Sequence, residues 1–374
     1  MKVSTMTAVV LFSFYGSAKN IWLSPHLLTR SLLPQKILLS IRKERKDPSQ
    51  IGYEIEVDEL YVIDELRWLS KNALVKKTDG NKWVANIIVL DKEEKKPLVD
   101  LAKELSQSEA LKIKKELSQL KAAFEKCSFQ SQGFTWDQMN YIVIAALLAD
   151  IAVNYSLHKK GMVPFPPQRP DEGRWYFWGL EGGAGSKRQF GVNSDQDKNG
   201  GTAHIWSRLV KKPTTSPVSN SEKAIILALA KQPLEIPDIA EILRLKPETV
   251  EQQIKKLSDY NYLTKIEGKF KLNFPIFTRR DLKLMITEIA RITDSIVADI
   301  VKPQETILRQ LFDKMGFAEL NREYGAYLCM FYHMIMDHTL DQLVENNILP
   351  EMPKEAPATW GFWGWEGELK ILKI

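Results

Sequence analysis

Trp175-Tyr-Phe-Trp178-Gly-Leu-Glu181-Gly182 recurs near the end of the chain as Trp360-Gly-Phe-Trp363-Gly-Trp-Glu366-Gly367, 185 residues later. Tryptophan is a rare amino acid, so chance is a poor explanation for two segments that share aromatic residues, glutamate and glycine in the same order. A repeat over this distance indicates that the chain contains two copies of one structural unit.

Weaker matches lie in the same order on the N-terminal side of these two segments. Leu69-Ser70 matches Leu257-Ser258 at a separation of 188 residues, and Ile21-Trp22 matches Ile205-Trp206 at 184. Because the matches are collinear and their separations are nearly constant, we expect two diverged copies of one fold.

The repeat predicts how the chain is divided. The segment between the copies is rich in Gly, Asn, Asp and Lys, which is typical of a linker. The predicted parts are an apolar leader at 1–16, a first unit at 17–183, a linker at 184–200, a second unit at 201–367 and a C-terminal strand or tail at 368–374.

The composition is that of an ordinary globular protein. Hydrophobic residues make up 44% and charged residues 26% of the chain, which excludes the disordered, collagen-like and disulfide-rich classes. The formal net charge is only +5, so any attraction to a polyanion must come from local patches. Two cysteines, Cys127 and Cys329, are too few for a disulfide framework and indicate a reducing compartment, the cytoplasm.

The N-terminal segment has a second interpretation. Lys2, an apolar run at 8–14 and the small residues at 16–18 have the outline of a secretory signal. The alternatives are a buried first strand or an apolar leader ahead of the first unit. No other stretch approaches the roughly 20 apolar residues that cross a bilayer, so we expect no integral membrane segment.

Helix and strand patterns are clearest in the second unit. Two short helical runs precede a third helix, in which Val250, Ile254 and Leu257 recur on one face. Two alternating runs then flank Glu267-Gly268, which predicts a hairpin. Three helices followed by a two-stranded wing resemble the winged helix-turn-helix domains of bacterial and archaeal regulators of the ArsR and MarR type. The resemblance covers residues 221–278.

The resemblance implies a fold that is mainly α with small β wings, an α+β class, in two tandem copies. In the first copy, Leu60, Ile63 and Leu66 are predicted to line the third helix, and residues 74–84 to form the wing. Beyond each wing, apolar residues at spacings of three and four predict a helical layer that packs against the other copy or a partner. The predicted parts are winged helices at about 35–90 and 221–278, helical layers at about 97–160 and 280–347, and Trp-rich segments at 174–183 and 359–367.

The resemblance also implies binding to duplex DNA, with the third helix in the major groove and the wing on the phosphates. Gln can bond adenine, and Lys or Thr can reach bases or phosphates. The expected contacts are Lys246, Thr249, Gln252, Gln253 and Lys256 on the third helix of the second copy, Lys265, Lys269 and Lys271 on its wing, and Lys76, Lys77 and Lys82 on the wing of the first copy. If both copies bind, the chain acts as a pseudo-dimer on an asymmetric site with half-sites about one helical turn apart. Association of two whole chains into a homodimer is a further alternative.

Acidic residues oppose this interpretation. Glu248, Glu251 and Asp259 share the third helix of the second copy. The third helix of the first copy is crowded by Glu56, Asp58, Glu59, Asp64 and Glu65. The alternative is a winged-helix protein-interaction scaffold without DNA binding, because a fold does not determine its function. The leading expectation is a transcriptional regulator that binds double-stranded DNA and is open to control by a small-molecule or protein effector.

The Trp-rich segments have two interpretations. Their rings either form a cage for an aromatic or cationic effector or close the end of a core. Glu181 and Glu366 either bond a ligand or cap a turn. The residues of the cage interpretation are Trp175, Phe177, Trp178, Trp360, Phe362, Trp363 and Trp365.

No pattern typical of catalysis is found. His333 and His338 are five residues apart, which does not bring two imidazoles to one helical face, so no metal is expected. The glycine-rich residues 182–187 are assigned to the linker, since a phosphate-binding loop needs a strand before it and a helix after it. We therefore expect neither an enzyme nor a cofactor.

Overall fold

The structure is a computed structural model that describes residues 10–17, 24–207, 209–210, 218–355, 357 and 359–369. Helices form most of the described chain and the strands form small sheets. The protein is therefore mixed α and β, which agrees with the predicted α+β class at this coarse level.

The two units share one order of main elements, which is a strand, three helices, a hairpin, a short strand, a group of helices and a Trp-rich strand, although their described elements are not identical. The elements of the first are β1 (Val10–Ser17), α1 (Pro25–Leu28), α2 (Leu32–Ser40), α3 (Pro48–Ile55), α4 (Glu59–Lys71), β2 (Val75–Lys77), a 3-10 turn (Asp79–Asn81), β3 (Trp83–Ala85), β4 (Ile88–Leu90), α5 (Lys92–Glu125), α6 (Phe129–Gln132), α7 (Trp136–Asn140), a π-helical segment (Tyr141–Ala152), α8 (Val153–Lys159) and β5 (Arg174–Glu181). The elements of the second are β6 (Phe190–Gln196), β7 (Gly200–Ser207), α9 (Asn220–Leu229), α10 (Ile236–Leu243), α11 (Pro247–Asp259), β8 (Leu263–Ile266), β9 (Lys269–Leu272), β10 (Ile276–Phe277), α12 (Arg279–Ile296), a second π-helical segment (Val297–Val301), a 3-10 turn (Lys302–Gln304), α13 (Glu305–Lys314), α14 (Tyr324–Glu345) and β11 (Phe362–Glu366).

The Trp-rich segments are inner strands of two equivalent sheets. In the first sheet, β5 pairs antiparallel with β1 and parallel with β4, so Trp178 lies opposite Ser13 on one side and Ile88 on the other. In the second sheet, β11 pairs antiparallel with β7 and parallel with β10, and Trp363 lies opposite Ala203. The same strand order and direction in both halves is the arrangement that a duplication produces.

The N-terminal boundary differs from the prediction. Residues 10–16, assigned to the leader, belong to strand β1, whereas residues 1–9 lie outside the described residues. The structural equivalent of Ile205-Trp206 is Tyr15-Gly16, because both pairs occupy the same place in their sheets. Ile21-Trp22, the predicted match, falls outside the described residues.

The predicted linker at 184–200 is also structured. It contains β6, which pairs with β7 at the edge of the second sheet. Before β6, the Arg188 guanidinium lies 3.0 Å from the Asp341 carboxylate, and the Lys187 N–H donates to Asp341 at 2.7 Å. Polar, glycine-rich composition identifies a loop, but it does not reveal that this loop is anchored on α14. Of the predicted tail at 368–374, residues 368–369 are described, and the Leu369 N–H donates to Gln196 Oε1 at 3.1 Å.

Each unit contains a helix–hairpin module, defined as α2–α4 with β2 and β3 in the first unit and α9–α11 with β8 and β9 in the second. In the second module, Val250, Ile254 and Leu257 are buried, as predicted. The hairpin turns at Glu267-Gly268, and both residues have positive φ. The predicted run of three helices and a hairpin is therefore present in the second unit.

The face that the first module buries on its third helix is only partly the one predicted: Leu66 is buried as expected and Ile63 is half-buried. Val62, Leu66 and Leu69 are buried on α4, whereas Leu60 is 71% exposed. The spacing of three that links 60, 63 and 66 is compatible with a helical face, but so is the spacing of four and three that links the residues actually buried. Periodicity alone did not distinguish these two faces.

The long helices of each unit pack on the other unit. α5 of the first unit lies against α14 of the second, and α12, the equivalent of α5, lies against the π-helical segment and α8 of the first. The buried side chains of both units form one continuous core. Helices that are apolar on all sides need such surroundings, and the predicted helical layers are packed against each other in this way.

One helix differs from the expectation that no stretch beyond the N-terminal segment is long and apolar enough to cross a membrane. The continuous helix Trp136–Lys159 has 24 residues and is apolar enough to cross a membrane by length and composition. In the structure, 94% of the most apolar 18-residue stretch of this helix is buried within the protein. A helix at the centre of a core passes the same test, so this is weak evidence for a membrane span.

Candidate nucleic-acid interface

α11 is the helix that the sequence analysis assigns to DNA. It begins with Pro247 at its first position, where the missing N–H would have no intrahelical partner in any case. Val250 and Ile254 are buried on the side that faces α9 and α10. The opposite side of the helix points away from the core of the module.

Two of the predicted contact residues, Thr249 and Gln252, lie on this outward side, and a third, Lys246, lies at the N-cap of the helix. Lys246, Thr249 and Gln252 are exposed, and within the described part of the chain Lys246 has no ion-pair partner. Lys255 is also exposed, although the sequence prediction did not include it. Its spacing of three residues from Gln252 places it on the same side of the helix, and this signal could have identified it.

The other two predicted residues of α11 are engaged within the module. The Lys256 Nζ atom lies 2.8 Å from Oε1 of Glu222, a buried carboxylate of α9. Burial acts to raise the pKa of Glu222, but hydrogen bonds from Lys256 and Ser219 outweigh it and lower the pKa. Gln253 is half-buried and its Oε1 atom is enclosed. These two side chains are therefore poorly placed for the predicted contacts with bases.

The hairpin of the second module presents two of its three predicted lysines. Lys265 and Lys269 are exposed, and Lys265 Nζ lies 5.4 Å from the centroid of the Phe270 ring. Lys271 is half-buried and lies beside Gly133 of the first unit. A Cβ atom built on Gly133 would be only 2.9 Å from the Lys271 Nζ atom. Lys271 is thus turned toward the first unit.

The second module carries balanced charge. Residues 235–271 contain seven basic and seven acidic side chains. Glu248 and Glu251 are exposed beside Thr249 and Gln252. The exposed cations of this range are Arg244 and Lys246 before α11, Lys255 and Lys256 on it, and Lys265 and Lys269 on the hairpin.

The first module presents a different surface. α4 occupies the place of α11, but Asp58 caps it, and its side chain accepts a hydrogen bond from the Leu60 N–H at 2.8 Å. Residues 48–85 contain five basic and seven acidic side chains. Burial raises the pKa of Glu65 on this helix. Tyr61 and Trp68 are exposed between the acidic groups. This surface is acidic and aromatic, as the acidic residues of the sequence predict.

The lysines of the first hairpin are divided between surface and interior. Lys77 and Lys82 are exposed, and Lys77 Nζ lies 5.8 Å from the centroid of the Trp83 ring. Lys76 differs from the prediction, because its Nζ atom donates to the backbone carbonyl of Leu320 in the second unit at 2.9 Å. The residue type predicts a cation but not this partner, which lies 244 residues further along the chain.

The Trp-rich segments lie inside the cores. Trp175 Nε1 donates to Asp171 at 3.0 Å, and Trp360, which is half-buried, packs on Tyr141 at 5.4 Å between ring centroids. Two cavities of about 530 and 470 Å³ beside the second module contain no tryptophan in their linings. The buried rings favour core closure over an effector cage. They are Trp175, Phe177, Trp178, Phe362, Trp363 and Trp365.

The repeated glutamates occupy equivalent positions. Glu181 Oε2 accepts a hydrogen bond from the Lys92 N–H at 3.2 Å, and Glu366 Oε2 accepts one from the Arg279 N–H at 3.5 Å. Lys92 and Arg279 are the first residues of α5 and α12. Of the two predicted roles, this geometry is that of a cap. A strand does precede the glycine-rich loop 182–187, contrary to expectation, but strand β6 follows it and no helix N-terminus is available for a phosphate.

Several titratable groups are buried in the helical layer. Burial raises the pKa of Glu109 to about 7, and this carboxylate accepts hydrogen bonds from Tyr332 at 3.1 Å and Thr339 at 3.3 Å. Burial lowers the pKa of His333 to about 4. His338 Nε2 lies 3.1 Å from the Ala184 carbonyl. Across the described residues, no group of three His, Cys, Asp or Glu side chains is arranged to hold a metal ion.

No family model, no curated protein and no solved structure matches this chain.

Proposed function

We propose that this protein is a non-enzymatic, cytoplasmic regulator of transcription that binds duplex DNA through its second helix–hairpin module. In this proposal both modules are winged helix-turn-helix domains, and α11 is the recognition helix. The observation that carries the proposal is the outward side of α11, where Thr249, Gln252 and Lys255 are exposed together, with Lys246 exposed at the N-cap of the helix.

The residue types suit a duplex. Gln252 lies on the side of α11 opposite its buried face, so its amide can form two hydrogen bonds with an adenine in the major groove. Lys246 lies at the N-terminus of α11, where the helix dipole also favours a phosphate. Lys265 and Lys269 on the hairpin supply further phosphate contacts.

The neighbouring carboxylates limit how strongly the module can bind nonspecifically. Glu248 and Glu251 repel phosphates, so binding depends on the four exposed lysines that form no ion pair among the described residues, at 246, 255, 265 and 269. Each phosphate neutralised by a lysine contributes about −0.9 to the slope of log affinity against log salt concentration. Four such contacts give a slope of about −3 to −4.

The two modules are unequal in this proposal. The acidic surface of α4 repels a phosphate backbone, and Lys76 is engaged with Leu320. We therefore propose that the second module alone binds DNA. This replaces the expectation that both modules of one chain bind two half-sites.

The experiment is a fluorescence-anisotropy titration of a random-sequence duplex over a series of salt concentrations. Wild-type protein should lose affinity steeply as salt increases, and a flat or absent response would exclude phosphate contact. Lys77→Ala and Lys82→Ala in the first hairpin should leave the slope unchanged. With a duplex selected for tight binding, Gln252→Ala should weaken binding by about 1–3 kcal/mol at one base position.

A second candidate function, a protein-interaction scaffold, is favoured by the surface of the first module. Tyr53 on α3 and Leu60, Tyr61 and Trp68 on α4 are 90%, 71%, 68% and 44% exposed. Tyr61 and Trp68 are two helical turns apart and share one side of α4. Single exposed apolar residues are normal, but a group of them on neighbouring helices is typical of an interaction surface. The surrounding acidic residues favour a partner segment rich in Lys and Arg.

This candidate can be tested by peptide display. Peptides selected on the wild-type protein should be enriched in Lys and Arg, and they should bind Tyr61→Ser and Trp68→Ser variants weakly. Leu111→Ser is the matched control, because Leu111 is 66% exposed on α5, away from this module. If the selected peptides bind all three variants equally, the surface of α4 is not the interaction site.

A further inference from the structure

Basic side chains meet where the second unit contacts the first hairpin. Lys76 Nζ donates to the Leu320 carbonyl at 2.9 Å. Arg322 Nη2 donates to the carbonyl of Arg42 at 3.3 Å, and its Nη1 donates to that of Leu320 at 3.5 Å. Each unit thus contributes a cation to the boundary, and each cation donates to a backbone carbonyl of the other unit.

Arg322 is the unusual member of this group. It is only 6% exposed, and its Nε atom is buried without a hydrogen-bond partner among the described residues. Buried charged groups are normally paired with an opposite charge. In the part of the chain that the structure describes, no carboxylate forms an ion pair with Arg322. Burial lowers the pKa of its guanidinium to about 10.

Lys76 lies within electrostatic range of Arg322 and of a third cation, Arg45, at this boundary. The pKa of Lys76 is lowered by burial and then by the positive charges of Arg322 and Arg45. The backbone also brings Arg45 close, since Lys46 exchanges backbone hydrogen bonds with Trp83 and the next residue, Val84, pairs with Lys76. Arg45 is exposed, so the group opens to solvent on that side.

The nearby carboxylates are occupied by other cations. Glu94 lies 2.8 Å from Lys43 Nζ and 3.1 Å from Arg42 Nε. Glu54 is bound by Lys46. These two carboxylates are therefore paired with other cations, and among the described residues no ion pair is formed by Arg322, Lys76 or Arg45.

We propose that Arg322, Lys76 and Arg45 form a binding site for a phosphate-bearing small molecule that joins the two units. The exposed guanidinium of Arg45 offers a planar set of donors to a phosphate, the Lys76 ammonium adds a point charge, and Arg322 adds a buried positive charge behind them. A ligand that neutralises this group binds the docked arrangement of the units better than the unfolded chain, so it stabilises the folded protein. The site lies where the first unit's hairpin meets the second unit and is distinct from the DNA surface of α11.

The experiment measures the midpoint of thermal unfolding in sodium phosphate and in sodium chloride of the same ionic strength. Phosphate should raise the midpoint of the wild type above its value in chloride. The increment should be lost in Lys76→Met and reduced in Arg45→Met, and it should persist in Lys77→Met, the matched control. Arg322→Lys tests the buried position with its charge retained, and its increment should persist because Arg322 acts through its positive charge. No increment in the wild type, or equal increments in all variants, would overturn the proposal.

A second measurement separates a small phosphate-bearing ligand from the phosphates of DNA. Lys76→Met should bind duplex DNA with wild-type affinity and salt dependence. A weakened duplex complex in Lys76→Met would assign the group to the DNA backbone and overturn the small-molecule proposal. The thermal measurement can be read whether or not the wild type binds DNA, so failure of one proposal is distinguishable from failure of the other.

Discussion

Lys256 of α11 and Glu222 of α9 form an ion pair of 2.8 Å, in which the carboxylate is buried and the ammonium is half-exposed. Glu222 also accepts a hydrogen bond from the Ser219 N–H at 2.6 Å in a capping box at the start of α9. One carboxylate therefore joins the proposed recognition helix to the helix that supports it. A basic residue that looks suited to DNA contact is therefore bound to a carboxylate in the interior of the module.

This arrangement predicts that Glu222→Ala destabilises the protein. The substitution removes the capping acceptor and leaves Lys256 without its partner, which should lower the free energy of unfolding by about 1–3 kcal/mol. Urea denaturation measures the effect. Glu241→Ala, at an exposed glutamate of α10, should change the free energy by no more than about 0.5 kcal/mol. Equal effects of the two substitutions would show that the ion pair and cap contribute little.

The buried carboxyl of Glu109 predicts a dependence of stability on pH. Burial raises its pKa from 4.5 to about 7 in the folded protein, so between these values the folded state binds more protons than the unfolded state. Stability should therefore decrease as the pH rises from about 4.5 to 7, by at most about 3 kcal/mol from this group. Thermal unfolding midpoints at several pH values measure the decrease.

Glu109→Gln retains an acceptor for Tyr332 and cannot ionise, so its midpoint should fall less over the same pH range. Glu104→Gln, at an exposed position of the same helix, should follow the wild type. Burial also raises the pKa of Asp150 to about 7, so Glu109→Gln should retain part of the decrease. Parallel curves for all three proteins would mean that Glu109 is not protonated in the folded state.

The contact of Gly201 with Trp365 predicts a strict requirement for glycine. A Cβ atom added at Gly201 would lie 2.2 Å from Trp365 Cζ2 and 2.6 Å from the Asp195 carbonyl. Gly201→Ala must therefore displace a buried ring and should cost about 1–3 kcal/mol of stability. Ser194→Ala, at an exposed position of β6, is the control and should be nearly neutral. A stable Gly201→Ala protein would show that the sheet can shift to admit a methyl group.

The sequence predicted features whose signals lie in residues close together in the chain. The Trp-rich repeat predicted two copies of one unit, and the Glu267-Gly268 turn predicted the hairpin that the second module contains. These signals are local, since a turn requires certain residues at certain positions and a repeat preserves them. The capping role of Glu181 and Glu366 was one of two roles that the sequence left open.

Features that depend on distant partners could not be predicted in this way. The apolar run at 8–14 resembles a signal, and only its pairing with β5 identifies residues 10–14 as part of a strand. The lysines at positions 76 and 256 are ordinary basic residues in the sequence, but each is bound to a partner far along the chain or on another helix. Residue type determines which contacts are possible, and the fold determines which of them form.

The central claim is that the exposed lysines of α11 and its hairpin bind duplex DNA. The most direct test compares two variants that lose the same charge, by measuring the slope of log affinity for a duplex against log salt concentration. One variant replaces Lys246, Lys255, Lys265 and Lys269 with Ala, and the other replaces Lys103, Lys114, Lys115 and Lys126, which are exposed on α5 or at its C-terminal end. We expect the first variant to lose about 3 to 4 units of slope and the second to retain the wild-type slope. Equal slopes in the two variants would contradict the claim.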